Sequence, residues 1–184
     1  MSRTEEQFSN FVEGHFRTLL SEFPELKIAA GKNILTDVTC IFEKGKFELI
    51  HGFSQTDIVI YKEQAISTFN SDLIKFYGDK DIRNGLFSIP YVVLELKTGE
   101  LTSDAIRCRD FVAGRIRTLF PFVAYYFIAE RTTKEEKTLF RQGKSFTNYF
   151  ISKKLIDNDY LTRIYNNYIS PHIRNLNFQL HQID

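Results

Sequence analysis

The first 24 residues carry apolar side chains at the spacing of an α-helix. These positions recur every three or four residues, which is the period of one helix face, and Pro24 ends the run. Ser2 or Thr4 can cap the helix, because each is followed three residues later by Glu or Gln as a reciprocal partner. The apolar stripe consists of Phe8, Val12, Phe16, Leu19 and Phe23.

Apolar runs predict four strands in the next part of the chain. Residues 37–42 and 46–50 are separated by a short glycine-containing turn and indicate a β-hairpin. Residues 56–61 and 91–97 are rich in β-branched and aromatic residues. The second of these runs is almost continuously apolar, which is typical of a central strand covered on both faces. Residues 62–90 lack a sustained period, so we expect an irregular insertion there.

The later part of the chain predicts a helix between two strands, followed by helices. Thr102 or Ser103 can cap a helix whose apolar face carries Cys108 and which ends before Pro121. Residues 122–129 form an apolar run, and a helix joining two strands makes a crossover, so this run should lie parallel to the preceding strand. From Thr133 onward we expect helices.

The order of these elements predicts an α/β fold with a mixed central sheet flanked by helices. We expect a single domain over residues 1–184, with a core at about 3–130 and a helical C-terminal extension at about 131–184.

Charged side chains occur at one end of the most apolar strand. Because side chains alternate along a strand, Glu95 and Lys97 share a face with Val93. Such charges are costly in a buried strand unless they are paired or used in function. Asp57 lies at the start of another apolar strand, and two carboxylates with a lysine at a sheet edge outline a Mg²⁺ site. The alternative is a solvated ion pair between Glu95 and Lys97 where the strand leaves the core.

Asp57 followed by Glu95-Leu96-Lys97 on a later strand resembles the motif of the PD-(D/E)XK, or restriction-endonuclease-like, nuclease superfamily. The resemblance covers roughly residues 3–130, in the order helix, hairpin, Asp strand, Glu-x-Lys strand, helix and strand. Residues 52–61, followed by residues 93–98, are similar to the corresponding segments of small bacterial members. Thr56 stands where the family motif has proline before the aspartate.

The resemblance implies a restriction-endonuclease-like core and a magnesium-dependent nuclease. In such an enzyme Asp57 and Glu95 would bind one or two Mg²⁺ ions, for which Mn²⁺ can substitute, helped by the backbone carbonyl of Leu96. Lys97 would position or activate the attacking water. In many members a glutamate on the first helix reaches the metal, and Glu13 is the first candidate for this role in the present chain.

The candidates for nucleic-acid binding each have a structural alternative. Gln55 precedes Asp57 by two positions and would either contact the substrate or close a turn. The arginines of the predicted helix would either contact phosphates or form helix ion pairs. Besides Gln55, the candidates for nucleic-acid binding are Arg107, Arg109, Lys144, Lys153 and Lys154.

Composition and charge narrow the class of protein. The chain has 184 residues, 43% of them hydrophobic, and two cysteines without a CxxC motif, which excludes a disulfide framework and a structural zinc site. Acidic residues occupy the place of the apolar segment of a signal peptide, and no apolar stretch is long enough to span a membrane, so a cytoplasmic protein is expected.

The net charge of +1 divides unevenly along the chain. Residues 1–100 hold 11 Lys or Arg and 15 Asp or Glu, a balance of −4, whereas residues 101–184 hold 13 and 8, a balance of +5. The basic half could meet a polyanion, although such imbalances are also common on solvated surfaces.

These observations and the resemblance predict an endonuclease that acts on nucleic acid. DNA is the expected substrate, and the expected role is restriction, anti-phage defence or repair. We expect a homodimer, which is free-standing or a subunit of a larger defence system. The alternatives are a structure-specific, resolvase-like nuclease and a non-catalytic nucleic-acid-binding or assembly module on the same fold.

Overall fold

The protein is represented by a computed structural model, which describes residues 3–44, 46–65, 74–77, 86–133 and 136–180. Short 3₁₀ and π turns follow the first and the fourth helix, at Leu20–Glu22 and Tyr165–Ile169. The helices and strands, in chain order, are α1 (Glu5–Leu19), β1 (Lys27–Ala30), β2 (Asn33–Glu43), β3 (Lys46–Gln55), β4 (Ile58–Ala65), β5 (Ile74–Tyr77), β6 (Leu86–Thr98), α2 (Ser103–Leu119), β7 (Ala124–Glu130), α3 (Glu136–Gln142), β8 (Asn148–Ser152), α4 (Asn158–Ile164) and α5 (Ser170–Leu180).

Local capping residues define where the two longest helices begin. The Thr4 hydroxyl accepts a hydrogen bond from the Gln7 N–H, and the Gln7 side chain accepts one from the Thr4 N–H, which completes the predicted capping box of α1. Thr102 caps α2, because its hydroxyl accepts a hydrogen bond from the Ala105 N–H.

A mixed sheet flanked by helices forms the centre of the molecule. In the described part of the chain it has the order β1-β4-β6-β7-β8. The pairs β1–β4 and β4–β6 are antiparallel, whereas β6–β7 and β7–β8 are parallel. The α/β class and the parallel pairing around the α2 crossover are therefore confirmed.

The two faces of this sheet hold separate hydrophobic clusters, as the alternation of side chains in β6 predicts. Leu94 and Leu96 pack toward α1 and the C-terminal helices on one face. Val93 packs on the other face, against Ile106 and Ile116 of α2. The face that carries Val93 is also the face of Glu95.

The predicted hairpin is present, but its strands lie outside the central sheet. Strands β2 and β3 pair antiparallel and, with β5, form a second, three-stranded sheet among the described residues. The edge strand next to β4 is instead β1, which the sequence analysis missed. Its four residues, Lys27-Ile28-Ala29-Ala30, are too few and too rich in alanine to give a strand signal.

The predicted irregular insertion at 62–90 is wrong at both of its ends. Strand β4 continues to Ala65, and β6 already begins at Leu86, with Ala65 opposite Leu86 in the ladder. The alternation of apolar and polar residues in β6 is interrupted near Pro90, because the register between β4 and β6 shifts there. Proline is tolerated in a strand at such an irregularity. Residues 74–77 form β5, and residues 66–73 and 78–85 lie outside the described part of the chain.

The predicted all-helical extension at 131–184 also needs correction, because it contains β8. This strand pairs parallel with β7 and adds to the central sheet. This strand has five residues, of which Tyr149 and Phe150 are buried, so it is too short for a period to be detected. No helix in the described ranges is long and apolar enough to cross a membrane.

Candidate active site

Asp57 lies in the short link between β3 and β4, where the chain passes from one sheet to the other. Neighbouring backbone fixes this link: Thr56 donates hydrogen bonds from its N–H (3.1 Å) and its hydroxyl (3.0 Å) to the Lys32 carbonyl. The Gly31 N–H donates to the Asp57 carbonyl at 3.0 Å. Proline at position 56 would have neither an N–H nor a hydroxyl to donate to the Lys32 carbonyl. Threonine donates from both groups and so holds the link without the proline of the family motif.

The register of β4 and β6 brings Asp57 and Glu95 together. Ile58 is paired with Leu94 in this antiparallel ladder, so the preceding Asp57 faces the following Glu95. The Asp57 carboxylate (Oδ2) accepts a hydrogen bond from the Leu96 N–H at 2.8 Å. The two carboxylates predicted from the sequence therefore share one site.

Glu95 is only 3% exposed and is held from two sides. Its Oε1 lies 2.7 Å from Nε of Arg109 on α2, and its Oε2 accepts a hydrogen bond from the Tyr125 hydroxyl of β7 at 3.3 Å. Burial, followed by the negative charge of Asp57, raises the pKa of Glu95 to about 8, although the Arg109 guanidinium opposes this shift. Burial and Glu95 also raise the pKa of Tyr125 well above its ordinary value, so Tyr125 remains a hydrogen-bond donor.

Lys97 lies two residues beyond Glu95, at the end of the buried part of β6. Its ammonium forms an ion pair with Glu5 in the first turn of α1, and the Lys97 side chain is 33% exposed. This contact places the beginning of α1 over the end of β6. The three motif residues therefore lie at the same end of the sheet, and Glu5 adds a third carboxylate at the rim.

Two cavities meet at these residues, and both are lined by Asp57 and Arg109. The Lys97 cavity has a volume of about 320 Å³ and is also lined by Glu5, Glu95, Lys97 and Cys108. The Gly31 cavity has a volume of about 510 Å³ and is polar, with Glu6, Ser9, Asn10, Gly31 and Gln55 in its wall. Both volumes lie in the range of small-molecule sites.

Not every predicted residue reaches the two cavities. Glu13 forms an ion pair with Arg17, one turn further along α1, and lines neither cavity, whereas Glu5 and Glu6 do. Glu13 flanks the apolar stripe of α1, but the first turn of α1 is the part that lies over the sheet edge. Gln55 closes a turn, with its Nε2 donating to the Gly31 carbonyl at 3.1 Å, and also lines the Gly31 cavity.

The predicted basic residues are spread over several surfaces. Arg107 is exposed beside Asp104 at 4.0 Å, as an ordinary helix ion pair, whereas Arg109 reaches the site. Lys144 is exposed in the loop before β8. Lys153 and Lys154 are exposed just after β8, and the registers of β6, β7 and β8 place that strand end at the same end of the sheet as Lys97, with β7 in between.

Arg109 and Tyr125 contact Glu95, and neither contact was predicted from the sequence. The predicted apolar face of α2 contained Cys108, but Cys108 is exposed and the buried positions are Ile106, Ala113 and Ile116. With this face against the sheet, Arg109 points to Glu95. The strand alternation in β7 could have indicated Tyr125, because Tyr125 is paired with Val93 on the Glu95 face.

Within the described residues, no group of three or more His, Cys, Asp and Glu side chains is arranged to hold a metal ion. The donor set at the site is the pair Asp57 and Glu95, with Glu5 and Glu6 at the rim of the cavities. No protein-family model and no curated protein matches this sequence. The interpretation of the site therefore depends on its own geometry and charge.

Proposed function

We propose that this protein is a magnesium-dependent nuclease with a restriction-endonuclease-like fold, which hydrolyses phosphodiester bonds in nucleic acid, with DNA as the first candidate. One observation carries the proposal: Asp57 and Glu95 face each other across β4 and β6, and Lys97 follows at the same sheet end beside a cavity. This is the combination of two carboxylates and a lysine that the family motif supplies.

The residues present fit a hard divalent cation. Asp57 and Glu95 offer oxygen ligands at close range, and their mutual repulsion contributes to the raised pKa of Glu95. Mg²⁺ is commonly held by one or two protein carboxylates, with substrate phosphate oxygens and water completing the shell. When bound, the cation would supply charge stabilisation at the phosphate and an acidified water. Glu5 and Glu6, rather than Glu13, are the α1 acids placed to assist.

The chain's own residues have separate roles in this proposal. Asp57 is oriented by the Leu96 N–H, and Glu95 by Tyr125, so both carboxylates are fixed before a ligand arrives. Lys97 lines the same cavity. Its ammonium can leave the ion pair with Glu5 and donate instead to a water molecule or a phosphate oxygen.

Cleavage of both strands of a duplex needs two such sites, and a two-fold homodimer would supply them most simply. We retain this dimer as a prediction, together with a role in restriction, defence or repair, either alone or within a larger system. Light scattering that gives about twice 21.6 kDa would support the dimer, and a strict monomer that only nicks duplex DNA would contradict it.

The ion pairs at the site favour a second candidate, a nucleic-acid-binding module without turnover. Both Glu95 and Lys97 have charged partners, Arg109 and Glu5, so the motif could serve a structural role. The two candidates differ in one measurable property, because only the nuclease yields products that depend on a divalent cation.

The test is incubation with plasmid, linear and single-stranded DNA and with RNA, in Mg²⁺ or Mn²⁺ and in chelator. Asp57→Asn, Glu95→Gln and Lys97→Met should each reduce cleavage by about a hundredfold or more. The double variants should be barely worse than the single ones, because the residues act as a unit. Glu63→Gln on β4, which removes a surface partner of Lys27, is the matched control and should keep full activity. Cleavage retained in Glu95→Gln and Lys97→Met would place the activity elsewhere.

A further inference from the structure

Arg109 is a partly exposed arginine that contacts the buried carboxylate of Glu95. It lies on the side of α2 that faces the sheet, and its Nε is 2.7 Å from Oε1 of Glu95. Glu95 is almost completely buried, whereas the Arg109 side chain is 45% exposed. The guanidinium therefore reaches a buried carboxylate from a position that opens to solvent.

The same guanidinium borders both cavities. Arg109 and Asp57 line the Gly31 cavity and the Lys97 cavity, so the Arg109 side chain lies at the boundary between them. The other basic residue that lines the Lys97 cavity, within the described chain, is Lys97, and it is paired with Glu5. Arg109 is thus the cation in direct contact with the Asp57–Glu95 pair.

We propose that Arg109 is an internal counter-ion, which holds Glu95 while no metal is bound and transfers to a substrate phosphate when a divalent cation takes its place. This inference rests on the proposed function. A guanidinium at Oε1 of Glu95 opposes the binding of a divalent cation to the same carboxylate, because the two positive charges repel each other. Arginine binds a phosphate with two parallel hydrogen bonds, and its long side chain can turn into either cavity without a movement of α2.

Metal binding in the absence of nucleic acid tests the first half of the proposal. Titration calorimetry with Mn²⁺ should show that Arg109→Met, which keeps an unbranched side chain but removes the charge, binds the ion about tenfold more tightly than the wild type. Arg109→Lys keeps a positive charge and should stay close to the wild type. Arg107→Met removes an equal charge two residues away, from an arginine paired with Asp104, and should leave the Mn²⁺ affinity unchanged.

Nucleic-acid binding tests the second half. With Ca²⁺ present, the slope of log affinity against log salt for a short DNA duplex should fall by about 0.9 in Arg109→Met, because the protein then neutralises one phosphate fewer. In chelator the slope should be the same for Arg109→Met and the wild type, because Arg109 is then held by Glu95.

The outcomes separate this inference from the proposed function. If the wild type and Arg109→Met bind Mn²⁺ equally, or if Arg107→Met gains as much as Arg109→Met, the counter-ion role is wrong while the metal site stands. If the wild type binds no Mn²⁺ with or without DNA, both proposals are wrong. Should Arg109→Met fail to fold, Arg109→Gln, which can still donate a hydrogen bond to Glu95, replaces it with the same expected gain.

Discussion

Glu95 is the residue at which burial and charge conflict most directly. Its carboxyl group is nearly inaccessible and faces Asp57 from the β3–β4 link, Arg109 from α2 and Tyr125 from β7. The arginine and the tyrosine favour the ionised form, whereas burial and Asp57 disfavour it, and the latter dominate. Such a group makes the free energy of unfolding depend on pH.

We predict that Glu95→Gln flattens this dependence. The folded-state pKa of Glu95 is about 8, above the ordinary 4.5, so the stability contributed by its bound proton is present below pH 4.5 and is lost as the pH rises through 8. In chelator the wild type should therefore lose stability between about pH 5 and pH 8, and Glu95→Gln should lose less. Urea unfolding at a series of pH values measures this.

The surface variant Glu63→Gln serves as the control and should follow the wild-type pH profile. Parallel profiles for Glu95→Gln and the wild type would show that Glu95 is ionised in the folded protein at neutral pH.

Gly31 holds Asp57 in place through backbone geometry. Its φ is +64°, in the left-handed region, and an added Cβ would lie 3.1 Å from Nε2 of Gln55. We predict that Gly31→Ala destabilises the protein by about 1–2 kcal/mol. Gly14→Ala is the matched control, because Gly14 lies in α1 with open space at its Cβ, and the change should stabilise by about 0.5–1 kcal/mol.

Thermal unfolding of the two glycine variants measures both effects. A Gly31→Ala protein as stable as Gly14→Ala would mean that the link before β4 adapts freely, contrary to its hydrogen bonds with Gly31 and Lys32.

At the scale of elements, the position of α1 decides which acids reach the site. Arg3, just before this helix, donates hydrogen bonds at 3.3 Å to Glu130 at the end of β7 and to the Ile156 carbonyl. Glu130 is fully buried and also accepts a hydrogen bond from the Ile156 N–H at 2.9 Å. These contacts hold the first turn of α1, and with it Glu5, beside the end of β6.

We predict that Glu130→Ala destabilises the protein by about 3 kcal/mol, because it leaves the buried Ile156 N–H without its acceptor and Arg3 without its ionic partner. The comparison is Glu63→Ala, which removes an ion pair between exposed and half-exposed side chains and should cost at most about 1 kcal/mol. Urea unfolding checks both values, and equal costs would argue against Glu130 as the anchor of α1.

The same elements show what the sequence could and could not predict. Capping acts locally, so both long helices were predicted, and the observed caps Thr4 and Thr102 are each one of the two candidates that the sequence offers. Glu95 and Asp57 were predicted to meet because strand alternation and apolar runs are local patterns as well. The partners of Glu95 were not predicted, since α2 carries apolar residues on two sides and only packing against the sheet selects the side with Ile106.

At the scale of the whole molecule, the parallel strands β6, β7 and β8 place basic residues from separate parts of the chain at one end of the sheet. Thr98 at the end of β6 is paired with Glu130, and Glu130 with Ser152 at the end of β8. Lys153 and Lys154 therefore follow a strand that ends about 10 Å from β6, at two strand spacings. This places them at the same sheet end as Lys97.

We predict that the double charge reversal Lys153→Glu and Lys154→Glu weakens DNA binding at low salt. The slope of log affinity against log salt should fall by about 0.9 for each phosphate of the duplex that the variant no longer neutralises. Arg174→Glu is the control. Arg174 pairs with Glu22 and lies on α5, and α5 contacts β6 at Tyr91, six residues before Lys97. A salt slope that stays the same in the double variant would exclude this surface as the binding face.

The anchor between Arg3 and Ile156 also has a consequence for protein synthesis. The two residues are 153 positions apart, so Arg3 cannot make this contact until the ribosome has synthesised the chain past Ile156. A growing chain that ends before β8 would hold Asp57, Glu95 and Lys97 but would lack part of the anchor that sets Glu5 over them. We expect the contact that sets Glu5 over the candidate site to form only after the segment around Ile156 has left the ribosome.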